Sequence, residues 1–275
     1  MTMEIYDSSI KQTPIISQIK AVYKSRSLLK ILIARDLTVR YKRSVIGIWW
    51  SLLNPIVTTM VLFYVFNTVF RARMPDGTSF LPYLLSGVLI ITFFNQGMSA
   101  AADSISSGAG ILTKVYVRPE IFAFSATISS AINFCIGLIP LVGVLAISGK
   151  HPGITSPLIL IVIFCMIMLT TGIGLLVAIA YINFDDSRSL IQIVLLMLTY
   201  MTPVFYPISV LGPNTLKVIK LNPLTSVLTV FRDVFGGNGV TEWQTWAYMI
   251  GSCTFVFLIG LWVFNRMWPK VVAKI

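Results

Sequence analysis

Charge is scarce in this chain of 275 residues. Asp, Glu, Lys and Arg make up 11% of it, where soluble domains carry roughly 25%. A soluble fold of this length needs a polar surface that so few charges do not supply. Hydrophobic residues make up 56%, and mean hydropathy is +0.85. The deficit argues for an integral membrane protein. Histidine is scarcer still: His151, in the loop Lys150-His151-Pro152-Gly153, is the single one. A serine-histidine-carboxylate arrangement therefore has one candidate base with little around it to support it. The three cysteines, Cys135, Cys165 and Cys253, are scattered through apolar runs and read as small buried hydrophobes. They build neither a disulfide framework nor a zinc cluster. No glycine-rich stretch ends in Gly-Lys-Ser or Gly-Lys-Thr, so a nucleotide loop of the P-loop kind is absent. The chain is expected to do no covalent chemistry and to hold no cofactor or metal of its own.

What it has instead is uninterrupted apolar length. Six stretches contain no Asp, Glu, Lys or Arg: 44–70, 77–102, 121–149, 151–184, 189–216 and 243–265. Each can supply the about 20 residues that a helix needs to cross a hydrocarbon core. Porin strands alternate polar and apolar residues over about ten positions, and these stretches do not. The expected fold is all-α, a polytopic membrane protein with six transmembrane helices at about 46–70, 80–102, 121–147, 158–182, 189–206 and 246–265. Residues 1–275 then form one membrane domain, with a cytoplasmic and interfacial region at 1–45, six helices within 46–265 and a cytoplasmic tail at 266–275.

Basic residues outnumber acidic ones 21 to 10. Their clustering points to membrane topology rather than to nucleic acid. With a cytoplasmic N-terminus, 15 basic residues fall on the cytoplasmic side and 6 on the other, which satisfies the positive-inside rule. An even number of spans puts both termini inside. The first 40 residues are polar and charged, so no cleavable signal peptide is legible.

The connections carry their own signals. From Pro14 to Arg43, apolar residues recur at helical spacing: Ile15, Ile19, Val22 and Tyr23, then Leu28, Leu29, Leu32 and Ile33. Lys20, Lys24 and Arg26 surround them. Such a basic amphipathic helix lies among the cytoplasmic headgroups, or else packs on its own protein. In the segment 103–120, Ile111, Leu112, Val115 and Tyr116 form an apolar patch beside Lys114 and Arg118, with Pro119 as its stop. This is a short helix that docks a soluble partner, or a plain connector. Asp185 or Asp186 is placed to cap the fifth helix. Within its last turn and beyond it, Pro203, Pro207 and Pro223 stop or kink the chain. The apolar run 226–235 is too short to span and fits a re-entrant or interfacial helix between the fifth and sixth spans.

The spans hold almost no ionisable group, which counts against an ion-coupled transporter. They hold many aromatics instead. Trp49 and Trp50 fall near the inner interface, Phe63, Tyr64, Phe66 and Phe70 along the outer half of the first helix, and Tyr200, Phe205 and Tyr206 near the outer end of the fifth. They form either an interfacial belt or a conduit whose rings stack on sugar faces.

Several stretches together carry a family pattern. They are Leu32-Ile33-Ala34-Arg35-Asp36-Leu37 with Arg40-Tyr41-Lys42 and Ser44, then Gly47-Trp49-Trp50 and Leu53-Asn54-Pro55. Pro82-Tyr83-Leu84 with Gly87, Lys114-Val115-Tyr116-Pro119 and Pro203-Val204-Phe205-Tyr206-Pro207 follow, then Leu221-Asn222-Pro223-Leu224 with Phe231-Arg232-Asp233. In this order, over nearly the whole chain, they resemble the membrane subunit of bacterial ABC-2 exporters of cell-surface polysaccharides: O-antigen, capsule and teichoic acid. The resemblance implies a homodimer forming one path and two copies of a separate cytoplasmic ATPase, which binds the ATP and Mg. It implies that the segment around Ile111, Leu112, Lys114, Val115, Tyr116 and Arg118 couples to that ATPase, and that the first and fifth helices line the path. Arg35, Arg40, Lys42 and Arg43 are then placed to meet the pyrophosphate of a lipid carrier or to form a gate, unless they serve only as lipid anchors. The expected function is export of a lipid-linked polysaccharide, O-antigen foremost, across the bacterial inner membrane. An ABC-2 exporter of a drug or lipid is the alternative, ahead of a secondary transporter or a scaffold.

Overall fold

The computed structural model describes residues 25–42, 44–69, 79–112, 117–148, 153, 155–184, 186–236 and 241–271. Among these residues the regular elements are all helical. The first, α1 (Arg26–Tyr41), is the described part of the amphipathic segment. The first span follows as α2 (Trp50–Tyr64), opened by a 3-10 turn at Gly47–Trp49 and prolonged by a π turn at Val65–Val69. Gly47 sits at φ 58°, and this left-handed residue turns the chain from α1 into the span. Then come α3 (Phe80–Ser107), α4 (Glu120–Ile147), α5 (Ile159–Asn183), α6 (Ser187–Met201), α7 (Pro213–Lys220), α8 (Pro223–Gly236) and α9 (Trp243–Val271).

Among the described residues five helices are long and apolar enough to cross a membrane: Gly47–Thr68, Phe80–Ser107, Glu120–Ile147, Ser156–Asn183 and Trp243–Val271. They match the expected first, second, third, fourth and sixth spans; the second runs on to Ser107 and the last to Val271, into the region assigned to the tail. The expected fifth span at 189–206 is different. Its helix stops at Met201 and has 15 residues, about 22 Å at 1.5 Å per residue, so a count of six full spans is not reached. Pro203 is the reason. It disfavours helical geometry at the residue before it, and Thr202 is extended (φ −91°, ψ 136°).

The core is organised around α3, which packs on α4 and α5, while α5 runs beside α9. Small residues let these backbones approach closely, as membrane helix contacts require. A Cβ on Gly174 would meet the Cβ of Ala101 at 2.6 Å, and one on Gly172 would meet the Cα of Phe257 at 2.7 Å. A Cβ on Gly260 would collide with the Gly172 carbonyl. Larger rings fill the space on the other side: Phe93 stacks on Phe134 at 5.4 Å, and Phe134 meets Phe231 of α8 at 5.8 Å. The short helix α8 is thus a buried part of the bundle, with Val227, Leu228, Val230 and Phe231 fully covered.

Three local expectations change. Cys165 and Cys253 are buried, but Cys135 is exposed, on the outer face of α4. Pro119 stands at the N-cap of α4 and so begins a helix rather than ending one, since a proline early in a helix loses no hydrogen bond. Asp186 occupies the N-cap of α6 but its side chain makes no capping bond. Arg188, two residues on, reaches Asp103 of α3 instead, at 3.0 Å, and Asp185 lies outside the described residues.

Candidate functional site

Where α1 meets the bundle, its apolar side packs on the start of α4. Leu32 is 2% exposed and forms a small core with Ile121 and Phe122. Leu28, Leu29, Ile111, Leu112 and Val117 pack around it. Burying Leu32 alone is worth about 1.5–3 kcal/mol where water is the alternative. The same core therefore holds α1 and the described ends of the expected coupling segment. That segment forms a single helical turn at Ala109–Leu112. Lys114, Val115 and Tyr116 lie outside the described residues, and Arg118 is half-buried.

At its C-terminal end α1 is pinned by polar contacts. The Tyr41 hydroxyl donates to Oδ1 of Asn133 in α4 and shares a second hydrogen bond with the Ser51 hydroxyl at the head of α2. Asn133 is 9% exposed, and its Nδ2 has no partner among the described residues. Beside this junction lies a cavity of about 420 Å³ bounded by α1, α2, α3 and α4. Its polar lining comes from Asn133, Gln96, Asn54, Thr92 and Ser51, its aromatic lining from Trp50, Phe93 and Phe134. Among the described residues Arg40 is the one charged residue on it.

The four expected basic residues separate here. Arg40 and Arg35 lie five residues apart, which on a helix turns them about 140° from each other. Arg35 faces away from the cavity and is engaged by Asp36, Nη2 to Oδ1 at 3.0 Å. Lys42 is exposed at the C-cap of α1, and Arg43 lies outside the described residues.

The aromatic residues separate as well. Trp49 and Trp50 are exposed at the head of the first span, with Trp50 on the cavity. At the other end Phe66 stacks on Phe205 at 6.3 Å, and Phe205 meets Tyr200 at 5.8 Å. The Tyr206 hydroxyl donates to the Tyr200 carbonyl at 2.9 Å. Phe63 is half-buried, Tyr64 is exposed, and Phe70 lies outside the described residues. About 24 Å of helix separates Trp50 from Phe66. Exposed Leu53, Val57, Met60 and Val61 occupy the interval, so the described rings form two clusters rather than one continuous row.

A second polar centre holds the end of α6, and sequence reading missed it. After Met201 the chain runs without a helix to Pro207, and non-helical backbone at membrane depth persists only where protein satisfies it. Arg232 of α8 supplies the donors. It gives Nη1 to the Pro203 carbonyl at 2.9 Å, Nη2 to the carbonyls of Tyr83 at 3.1 Å and Val204 at 3.4 Å, and Nε to the Ser86 hydroxyl at 3.2 Å. Its guanidinium lies 3.5 Å from the centre of the Tyr83 ring. The Tyr83 hydroxyl donates to the carbonyls of Tyr206 at 2.7 Å and Pro203 at 3.2 Å. Burial lowers the Arg232 pKa to about 10, against the raising influence of Tyr83 and Asp233, so it is charged at neutral pH. Gly87 makes room for it: a Cβ there would meet Nη2 and the Val204 side chain, each at 2.9 Å. The signal was an arginine inside the apolar run 226–235. For Asn133 it was the four-residue spacing of Ser125, Ser129 and Asn133, which puts three polar groups on one face of the third span.

Known proteins agree with this architecture. The chain is 25% identical over 244 residues to the O-antigen export system permease protein RfbA of Klebsiella pneumoniae, covering 87% of this chain and 92% of that one. It is 29% identical over 222 residues to the protein of the same name in Myxococcus xanthus, covering 79% and 83%. To the polysialic acid transport protein KpsM of Escherichia coli it is 21% identical over 234 residues, covering 85% and 90%. A family model described as ABC-2 type transporter matches residues 27–235. With well over half of its length matched, this polytopic helical chain belongs to the ABC-2 type transporter membrane family.

Proposed function

We propose that the chain is the membrane-spanning subunit of an ATP-driven exporter that moves a lipid-linked cell-surface polysaccharide, O-antigen foremost, across the bacterial inner membrane. One observation carries this reading. The interfacial helix α1 brings Arg40 and Tyr41 onto a cavity of amide, hydroxyl and aromatic groups beside the exposed face of the first span. Relatives whose names state export of O-antigen or polysialic acid cover most of the chain. In this reading two copies form the path, with both termini in the cytoplasm and residues 1–275 acting as one membrane domain. Two copies of a separate ATPase bind the ATP and Mg. The motion of that ATPase enters through the segment 109–118 and reaches α1 through the core around Leu32. Arg40 then meets the carrier pyrophosphate through charge-assisted hydrogen bonds.

Mild-detergent purification of the tagged chain after crosslinking, with mass spectrometry of the intact complex, tests the assembly. Two copies each of the chain and of an ATPase are expected. A stable particle without an ATPase would sink the reading. Arg40→Gln is expected to lower glycan-stimulated ATP turnover more than Arg35→Gln, because Arg35 is held by Asp36. Equal or absent effects would remove Arg40 from the site.

A further inference from the structure

Leu112 lies where two buried clusters meet. One is the core around Leu32, Ile121 and Phe122 that holds α1. The other joins Ile105 of α3, Ala123 of α4, Ile179 of α5, and Phe264 and Val271 of α9, and Leu112 packs against it as well. The turn Ala109–Leu112 has little room to give at its root, because Gly108 is wedged on Phe122. A Cβ there would meet Cδ1 and Cε1 of that ring at 2.8 Å. A push on the turn therefore arrives at Leu112, and close-packed side chains pass it to both clusters. The last turns of α9 are held in a way that suits them to follow. Pro269 gives no N–H to the turn before it, a loss that kinks or breaks a helix interior, yet α9 runs on to Val271. Packing holds this end: Val271 is 2% exposed, and Trp268 stacks on the fully buried Phe264 at 5.3 Å. A plain interfacial anchor would turn such side chains toward lipid.

From Leu112 each cluster leads to one of two helices with few buried residues, α2 and α6. Through the first cluster, α1 passes to α2 by the hydrogen bond that the Tyr41 and Ser51 hydroxyls share. Through the second, α9 presses on α5, where a Cβ on Gly260 would collide with the Gly172 carbonyl. Helix α5 then turns into α6 within three residues, and the Ser187 hydroxyl donates to the Ala180 carbonyl at 3.0 Å across that corner. We propose that Leu112 divides the motion of the segment that couples to the ATPase between two outputs, α1 and the C-terminal end of α9, with Trp268 and Val271 receiving the second. The inference rests on the export reading and adds α9 to its moving parts. The first and fifth helices of the path are driven together, one through α1 and the other through α9 and α5. Leu112, Trp268 and Val271 act as positioning residues.

The test uses the whole complex of the chain with its ATPase in lipid nanodiscs. Hydrogen exchange is followed without nucleotide and after trapping with ATP and orthovanadate. In the unaltered complex, trapping is expected to change exchange about threefold or more in both 28–41 and 264–271. Leu112→Ala abolishes both responses. Trp268→Ala abolishes the response of 264–271 alone and cuts export several-fold while ATP hydrolysis persists. Leu112→Met, which keeps the volume, and Trp268→Phe, which keeps a ring on Phe264, retain both responses. A complete complex in which trapping changes 28–41 but leaves 264–271 as it was overturns the proposal, and the unaltered chain decides this even where a variant fails to fold. Normal export in Trp268→Ala overturns it too, as do undiminished responses in Leu112→Ala. A particle that purifies without an ATPase strikes the export reading and the proposal with it, whereas a complete complex with a silent α9 strikes the proposal alone.

Discussion

Replacing Arg232 by leucine should destabilise the chain by about 3–5 kcal/mol, and the figure follows from what the guanidinium touches. Burying an arginine is costly, and replacing a buried ion pair with apolar groups is often neutral. Arg232 differs because its partners are mainly backbone carbonyls, which no substitution removes. Its hydrogen bonds at 2.9 to 3.2 Å to Pro203, Tyr83 and Ser86 are charge-assisted, worth about 1.5–3 kcal/mol each. The contact with the Tyr83 ring at 3.5 Å adds about 2 kcal/mol when desolvated. Against this stands the desolvation of one cation, several kcal/mol, which leaves the net loss stated. Arg232→Lys keeps the charge but concentrates three donors on one atom, which does not reach acceptors spread around a planar fork. It should lose about half as much. Tyr83→Phe keeps the ring and removes two hydroxyl bonds, for about 1–2 kcal/mol. The assay is thermal unfolding of the purified chain in a mild detergent, followed by size-exclusion fluorescence. At roughly 2–4 °C per kcal/mol, Arg232→Leu should lower the midpoint by about 6–20 °C. A midpoint within about 2 °C of the unaltered chain would refute the idea that Arg232 holds the non-helical end of α6.

Three further outcomes follow from the packing. Gly260→Ala places a methyl group on the Gly172 carbonyl and should part α5 from α9, seen as a large loss of folded protein on size exclusion; a normal yield would refute the contact. Burial raises the Asp233 pKa, against the lowering influence of the Thr241 hydroxyl and Arg232. Its contribution is therefore fully present below the unfolded carboxylate pKa and is lost as pH rises through the raised folded value. Asp233→Asn should flatten that loss in paired unfolding curves taken upward from the ordinary carboxylate range, and an unchanged pH dependence would count against it. Leu32→Ala opens the core shared by α1 and the segment proposed to couple to the ATPase. It should leave ATP hydrolysis by the complex in place while cutting export several-fold, and equal loss of both would deny transmission through that core.

How much of this was legible in advance depended on which force placed each residue. Apolar length located five long helices, with ends off by up to six residues, because hydrocarbon thickness acts on each span alone. The end of α6 was misjudged by five residues because Pro203 outweighs apolarity there. The signal was present and read only as an interruption that would stop or kink a helix. The basic cluster dispersed for a different reason. Arg35 and Arg40 are near in sequence, but helical phase turns them apart, and only the packing of Leu32 on α4 decides which one faces the cavity. Asn133 and Arg232 escaped because each draws its meaning from partners far away in sequence: Tyr41 for the first, Pro203 and Tyr83 for the second.

Burial is distributed so that the parts best placed to move are also the least held. In the second span 72% of the most apolar window is covered, in the first 11%. On α6 only Ser187 and Leu195 are buried. A helix held by few apolar contacts is cheap to displace, and local opening follows contact density. Few apolar side chains hold α2 and α6 to the core, Leu62 on α2 and Ile191, Leu195 and Leu198 on α6, and their other attachments are Tyr41 and Asn133 near the start of α2, Phe66 on Phe205 at its finish, Arg188 on Asp103 and Thr199 on Asn95 along α6. The Arg188–Asp103 pair is 60% and 46% exposed, and such a pair contributes about 0–1 kcal/mol, so breaking it opposes little. Hydrogen exchange in nanodiscs should therefore show α2 and α6 opening before α3, α4, α5 and α9. Uniform protection across all six would mean that the second copy, rather than the single chain, supplies the missing contacts, and that any displacement of the path helices must break a dimer interface first.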